Sequence, residues 1–273
     1  MRWLLLIFAL LSCGGVRAQR SLDIAFCDVE SLYDTVPSKF YDDSDYTPQG
    51  RLRWDSQRYR RKVESVARLI DSMALPVVAL WGVENEQVVR DVVMATEGDY
   101  AYVHRTHDSS DGLDFALLYY GDRFFPERIT PWRGALCIEG KADGVDVAII
   151  INHRCTSLGV LLSERGLLEN GRMVVVLGTP GRVSPETFGL QEHTSVAERA
   201  RRGNVMRSGG WQMRDRVSST WKGEVRCDVY AAEWLLDGQG APRPTYSNRK
   251  YYGGVSASLP IFAQFFILLG EKS

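Results

Sequence analysis

The side chains able to do chemistry fall into a few local clusters. His104, His107, Asp108 and Asp111 lie close together along the chain and supply the imidazole and carboxylate donors a metal ion takes. A polar loop after a strand accounts for the same letters. Asp42, Asp43 and Asp45 suggest calcium, but the alternating ligands and terminal bidentate glutamate of a calcium loop are missing, so a solvated loop is expected. Ser256 and Ser258 offer hydroxyls without a Gly-x-Ser-x-Gly turn or an assignable His/Asp partner. Cys27, Cys137, Cys155 and Cys227 have no Cys-x-x-Cys spacing. They are expected as buried thiols or disulfides, with the pairing open.

The formal net charge is -1, so no global field draws in nucleic acid. Basic runs at Arg58 to Lys62 and at Arg199, Arg201 and Arg202 are expected to form solvated helix faces. Met1-Arg2 followed by the apolar stretch 4–11 has the form of an export signal, too short for the ~20 residues of a membrane span. Cleavage is expected after Ala18, giving residues 1–18 as signal peptide and 19–273 as a single domain. Cys13 is the acylated residue of a competing lipoprotein signal. On either reading the protein is exported to the periplasm, the outer membrane or the medium.

Apolar spacing places the supporting elements. Helical periodicity predicts helices over 54–73 and 85–95, with Pro76 stopping the first. Apolar runs predict strands over 21–27, 77–81, 100–104, 113–119, 136–139, 145–152, 173–178, 227–232 and 261–268. Many strands with a few interleaved helices indicate an α+β fold or layered α/β sandwich. Tyr246, Tyr251, Tyr252, Trp211 and Trp221 fall in loops, where exposed aromatics would favour partner or ligand binding.

Several segments occur in one order that resembles the endonuclease/exonuclease/phosphatase family, in its exported bacterial branch. They are Ala25-Phe26-Cys27-Asp28-Val29-Glu30-Ser31-Leu32-Tyr33-Asp34-Thr35, Tyr46-Thr47-Pro48-Gln49-Gly50, Ala79-Leu80-Trp81-Gly82-Val83-Glu84-Asn85, Gly112-Leu113-Asp114-Phe115-Ala116-Leu117-Leu118-Tyr119, Ile151-Asn152-His153, Val175-Val176-Leu177-Gly178 and Gly253-Gly254-Val255-Ser256-Ala257-Ser258-Leu259-Pro260. The resemblance implies two packed β-sheets flanked by helices. It also implies a Mg²⁺ or Mn²⁺ held by carboxylates at strand ends, an Asp that activates water, and a His that donates to a phosphate oxygen.

The positions that carry this chemistry are replaced. The metal-binding Glu is Gly82. The segment supplying the water-activating Asp and its Asn reads Gly178-Thr179-Pro180-Gly181, and the Asp-His pair is Ala257-Ser258. Remnants of the pattern are Asp28, His153 and Asp228, and Glu84 is the remaining candidate ligand because strand period places it on the face of Gly82. The helix between His153 and Gly178 is expected to be shortened to about 160–168.

Losing one preorganised electrostatic group costs ~3–4 kcal/mol of transition-state stabilisation. Here ligand, base and donor are all replaced, so no cofactor is expected. The expectation is a pseudoenzyme that binds a protein or a small phosphorylated or glycan-like ligand. The alternative is a divergent Mg/Mn-dependent phosphodiesterase or nuclease rebuilt around Asp28, Glu84 and Asp228.

Overall fold

Alternation along the apolar runs decides the architecture. In the first strand Leu22, Ile24 and Phe26 enter one core, while Ala25, Cys27 and Val29 enter another, as a strand with side chains on opposite faces must when both faces are covered. The computed structural model describes residues 20–267 except 108 and 170. The expected signal peptide, Cys13, Asp108 and the last residue of the 261–268 strand lie outside the described residues.

In chain order the elements are β1 (Arg20–Leu32), α1 (Ser56–Met73), β2 (Val77–Val83), α2 (Glu86–Ala95), β3 (Ala101–Arg105), β4 (Asp114–Tyr119), β5 (Phe124–Trp132), β6 (Ala135–Ala142) and β7 (Val145–His153). There follow α3 (Leu158–Glu164), β8 (Met173–Thr179), β9 (Gln191–Glu192), α4 (Ser195–Arg199), β10 (Val205–Arg207), β11 (Gly210–Gln212) and β12 (Arg216–Ser219). The last are β13 (Val225–Val229), β14 (Tyr246–Ser247), β15 (Lys250–Tyr251) and β16 (Ile261–Ile267). One 6-stranded sheet has the order β13-β16-β1-β2-β4-β3, the other β5-β6-β7-β8-β12-β9.

The central core lies between the sheets, where Phe26, Ala79 and Phe265 share one cluster with Ile138, Ile149 and Leu177. On its outer face the first sheet carries α1 through Val63, Val66 and Ile70, and α2 through Val88 and Val92. The second sheet is covered by α3 through Leu158, Leu161 and Leu162. The result is the expected α+β sandwich, layered helix, sheet, sheet, helix.

Local chemistry sets the helix ends. Asp55 caps α1 by accepting from Arg58 N at 2.9 Å, and Asn85 caps α2 by accepting from Val88 N at 3.0 Å. Ala74, in the left-handed region, closes α1 before Pro76.

Three expectations are corrected. The helix after His153 is α3 (Leu158–Glu164) rather than 160–168, because Gly166 turns left-handed at φ 57 and ends it. β1 runs on to Leu32 beyond the expected 21–27, past a register shift between Asp28 and Leu32. Lys62 is not part of a solvated face. It is 2% exposed and donates to Thr245 Oγ1 and to the Val255 carbonyl, pinning the 245–255 segment to α1. All four described cysteines are buried free thiols, so no disulfide joins them.

Candidate functional site

The ends of β1, β2, β7 and β8 and the segment before β16 bring Asp28, Gly82, His153, Thr179 and Ser258 to one edge of the sandwich. Asp28 lies opposite Trp81 in the β1–β2 register, just before both strands shift. Gly82 occupies that shift at φ +94, a conformation that only glycine adopts without strain. A Cβ there would stand 3.7 Å from Asp28 Oδ1, so position 82 faces Asp28 and contributes no side chain.

The Arg214 guanidinium fills the space between the carboxylates. Its Nη2 donates to Asp28 Oδ2 at 2.7 Å, to Asp215 Oδ2 at 2.8 Å and to Ser258 Oγ at 3.0 Å, and its Nε donates to Asp215 Oδ1 at 3.0 Å. Asp215 is 1% exposed and receives two further bonds, from Thr179 Oγ1 at 2.6 Å and Asn204 Nδ2 at 2.6 Å. Asn204 Oδ1 in turn accepts from Arg214 N at 2.8 Å and so fixes the segment that delivers the arginine. Thr179 and Ser258 therefore serve this cluster as hydrogen-bond partners.

Burial sets the protonation behaviour. Burial raises the pKa of Asp28, with Arg214 pulling the other way and the Asp215 charge adding to the rise. Burial also works against the charge on Arg214, but Asp215 and Asp28 outweigh it and hold the guanidinium protonated. The cluster is a carboxylate pair bridged by a cation that belongs to the chain.

His153, at the end of β7, stacks on Trp81 with ring centroids 4.2 Å apart, and its Nδ1 is buried without a hydrogen-bond partner among the described residues. Burial, with help from Arg154 and Arg214, lowers its pKa to about 4, so the ring is neutral at pH 7. Gly181 packs so closely on the Cys155 carbonyl that a Cβ would come within 2.0 Å of its oxygen. Ala257 is exposed beside buried Ser258.

Asp228 pairs with Arg202 at 2.8 Å. Glu84 accepts from Asp34 N at 2.6 Å and from Tyr41 Oη at 2.9 Å, and burial raises its pKa to about 7. Its carboxylate therefore serves the loop after β1, although strand period places it on the face of Gly82.

The remaining sequence candidates have structural partners. His104 pairs with buried Asp114 at 2.9 Å, and His107 Nε2 accepts from Gly134 N at 3.2 Å. Asp111 accepts from Leu113 N and, through its carbonyl, from Tyr33 Oη. In the acidic loop, Asp42 accepts from Ser44, Asp43 from Ser38 N, and Asp45 pairs with Arg51. Ser256 Oγ lies 3.2 Å from Ser258 Oγ. Among the described residues no group of three or more His, Cys, Asp or Glu converges to hold a metal ion.

A divalent cation does not fit these residues. Position 82 offers no ligand, and Asp28 and Asp215 are bonded to Arg214. Sequence reasoning missed Arg214, Asp215 and Asn204. The available signal was the charged pair Arg214-Asp215 placed directly before a strand, with apolar Met213 and Val217 on either side.

The chain belongs to the Endonuclease/Exonuclease/phosphatase family, whose profile matches residues 23–165. Among solved structures it is similar to truncated TDP2 of Caenorhabditis elegans, with TM-score 0.57, 14% identity, and coverage of 90% of this chain and 98% of that one. A family protein from Bacteroides thetaiotaomicron gives TM-score 0.59 and 13% identity over 93% of this chain and 98% of that one. The mannosyl-6-phosphatase of the same organism gives 0.54 and 12% over 90% and 100%. At these identities the likeness shows the fold. No curated protein matches the sequence.

Proposed function

We propose that this chain is an exported, non-catalytic member of the family that acts by binding. Its ligand is a protein or a small phosphorylated or glycan-like molecule taken up at the cleft or its rim. The observation that carries this reading is the Arg214 guanidinium bonded to both Asp28 and Asp215, next to a glycine where the family pattern has its metal-binding carboxylate. A cation covalently part of the protein occupies both carboxylates but cannot activate a water as a bound metal does. Thr179, Ala257 and Ser258 supply neither a base near neutral pH nor an imidazole.

The rebuilt-hydrolase alternative has less support. Asp28, Glu84 and Asp228 face three different sets of partners: Arg214, then Asp34 with Tyr41, then Arg202. Export and acylation at Cys13 remain part of the proposal and rest on the leader's sequence.

The test is a screen of the purified protein with Mg²⁺ or Mn²⁺ against DNA, RNA, phosphomonoesters including sugar phosphates, and phospholipid headgroups. No metal-dependent release of phosphate or nucleotide is expected. Turnover that EDTA abolishes would overturn the reading.

A further inference from the structure

We propose that the groove between the outer face of α1 and the β14–β15 hairpin binds an acidic saccharide whose anionic groups are spaced by neutral, hydroxyl-bearing sugars. The inference rests on the binding role proposed above and names a site and a ligand class for it. It does not depend on the absence of catalysis.

The groove has a volume of about 480 Å³ and is lined by Arg61, Glu64, Ser65, Arg68, Tyr251 and Tyr252. It lies on the face of α1 turned away from the sheets, since Val63, Val66 and Ile70 of the same helix enter the core. Its walls are fixed. Beneath it, Lys62 ties α1 to Thr245 and Val255 on the flanks of the hairpin. Arg58 lies 4.6 Å from the Tyr251 ring centroid, and Arg68 lies 4.3 Å from that of Trp234. Tyr252 is 46% exposed and carries the Lys250 ammonium 5.2 Å from its ring centroid, so ring and cation form one exposed unit.

The charge order along α1 selects the ligand. Arg61 and Arg68 are seven residues apart on one helix face, about 10 Å by helical rise. Neither makes an ion pair among the described residues and both are exposed, Arg68 with its guanidinium over Trp234, so their N–H groups can meet carboxylate or phosphate groups. Glu64 stands between them and is also without an ion pair. A carboxylate in that place repels a contiguous run of phosphates, as in a nucleic acid strand, but accepts hydrogen bonds from hydroxyls. Ser65 adds a second hydroxyl-compatible group. The pattern of cation, hydroxyl acceptor, cation, with tyrosine rings alongside for the apolar face of a sugar, matches a saccharide with charge on alternate units. The chain's net charge of -1 also provides no wider positive track for a polynucleotide.

The probe is a hyaluronan tetrasaccharide, in which carboxylate-bearing and neutral sugars alternate. It is titrated calorimetrically into the full protein at low ionic strength, with neutral chitotetraose and a thymidine tetranucleotide as comparators. Binding of the tetrasaccharide is expected, weaker binding of both comparators, and a loss of about tenfold in affinity for each of Arg61→Ala and Arg68→Ala, the usual scale for one charge-assisted hydrogen bond. Tyr252→Ala should weaken the neutral and acidic saccharides alike. No binding by the unmodified protein, unchanged affinity in both arginine variants, or tighter binding of the tetranucleotide would each overturn the inference. A silent groove leaves the proposed lack of catalysis standing, and metal-dependent turnover leaves the groove standing, so the two failures are distinguishable.

Discussion

Replacing Arg214 with methionine keeps much of the side-chain volume and removes the charge from between Asp28 and Asp215. The structure sets the scale of the effect. Arg214 makes two ion pairs and four side-chain hydrogen bonds at 2.7–3.0 Å, and Asp215 is 1% exposed. Removing one partner of a buried ion pair leaves an uncompensated charge and costs ~3–5 kcal/mol. In a chain of this size each kcal/mol corresponds to ~2–4 °C, so Arg214→Met should lower Tm by roughly 6–20 °C.

The loss should depend on pH. Without the guanidinium, Asp28 loses the charge that opposes its burial, so its folded-state pKa, already raised, moves further above its unfolded value. That contribution is present below the unfolded pKa and lost as pH rises through the folded one. The gap between the unmodified protein and the variant should therefore widen from pH 4 to pH 8. Mn²⁺ should raise the Tm of the variant, by up to ~2.7 kcal/mol of binding free energy at a hundredfold excess over Kd, and leave the unmodified protein unchanged. Scanning calorimetry across pH with and without Mn²⁺ reads all three effects. A variant within about 2 °C of the unmodified protein, on the same conversion, would refute the reasoning. So would an unmodified protein stabilised by Mn²⁺ as strongly as the variant.

Two further expectations concern pH and carry opposite signs. Burial lifts Glu84 from 4.5 to about 7, so the stability it contributes in its protonated form is present below pH 4.5 and lost as pH rises to about 7. Glu84→Gln should flatten the fall in Tm over that window. His153 is lowered from 6.5 to about 4, so its contribution is full above pH 6.5 and lost as pH falls toward 4. His153→Phe keeps an aromatic ring on Trp81 and should remove that acid sensitivity. Thermal melts across pH 4 to 8 separate the two. An unchanged slope in either variant would mean that the group does not titrate in its window.

The extent to which the fold was legible follows from which interactions are local. The apolar spacing of Val63, Val66 and Ile70 and the cap at Asp55 are properties of contiguous residues, so α1 could be read nearly to its ends. Strand β5 was missed because Pro126, Glu127, Arg128 and Pro131 interrupt any apolar alternation, and pairing with β6 supplies what its own sequence lacks. Lys62 sits among exposed arginines in the sequence and looked solvated. Its buried partners, Thr245 and Val255, lie 183 and 193 residues away.

By itself the sequence determined what Gly82, Thr179, Ala257 and Ser258 lack, because a glycine, a threonine, an alanine and a serine carry no carboxylate or imidazole in any fold. Only the tertiary structure decided what stands there instead. Arg214 and Asp28 are 186 residues apart, and no local pattern records that they meet. Their meeting depends on β12 pairing with β8 and on Asn204 holding the Arg214 backbone, interactions that exist only once both sheets are assembled.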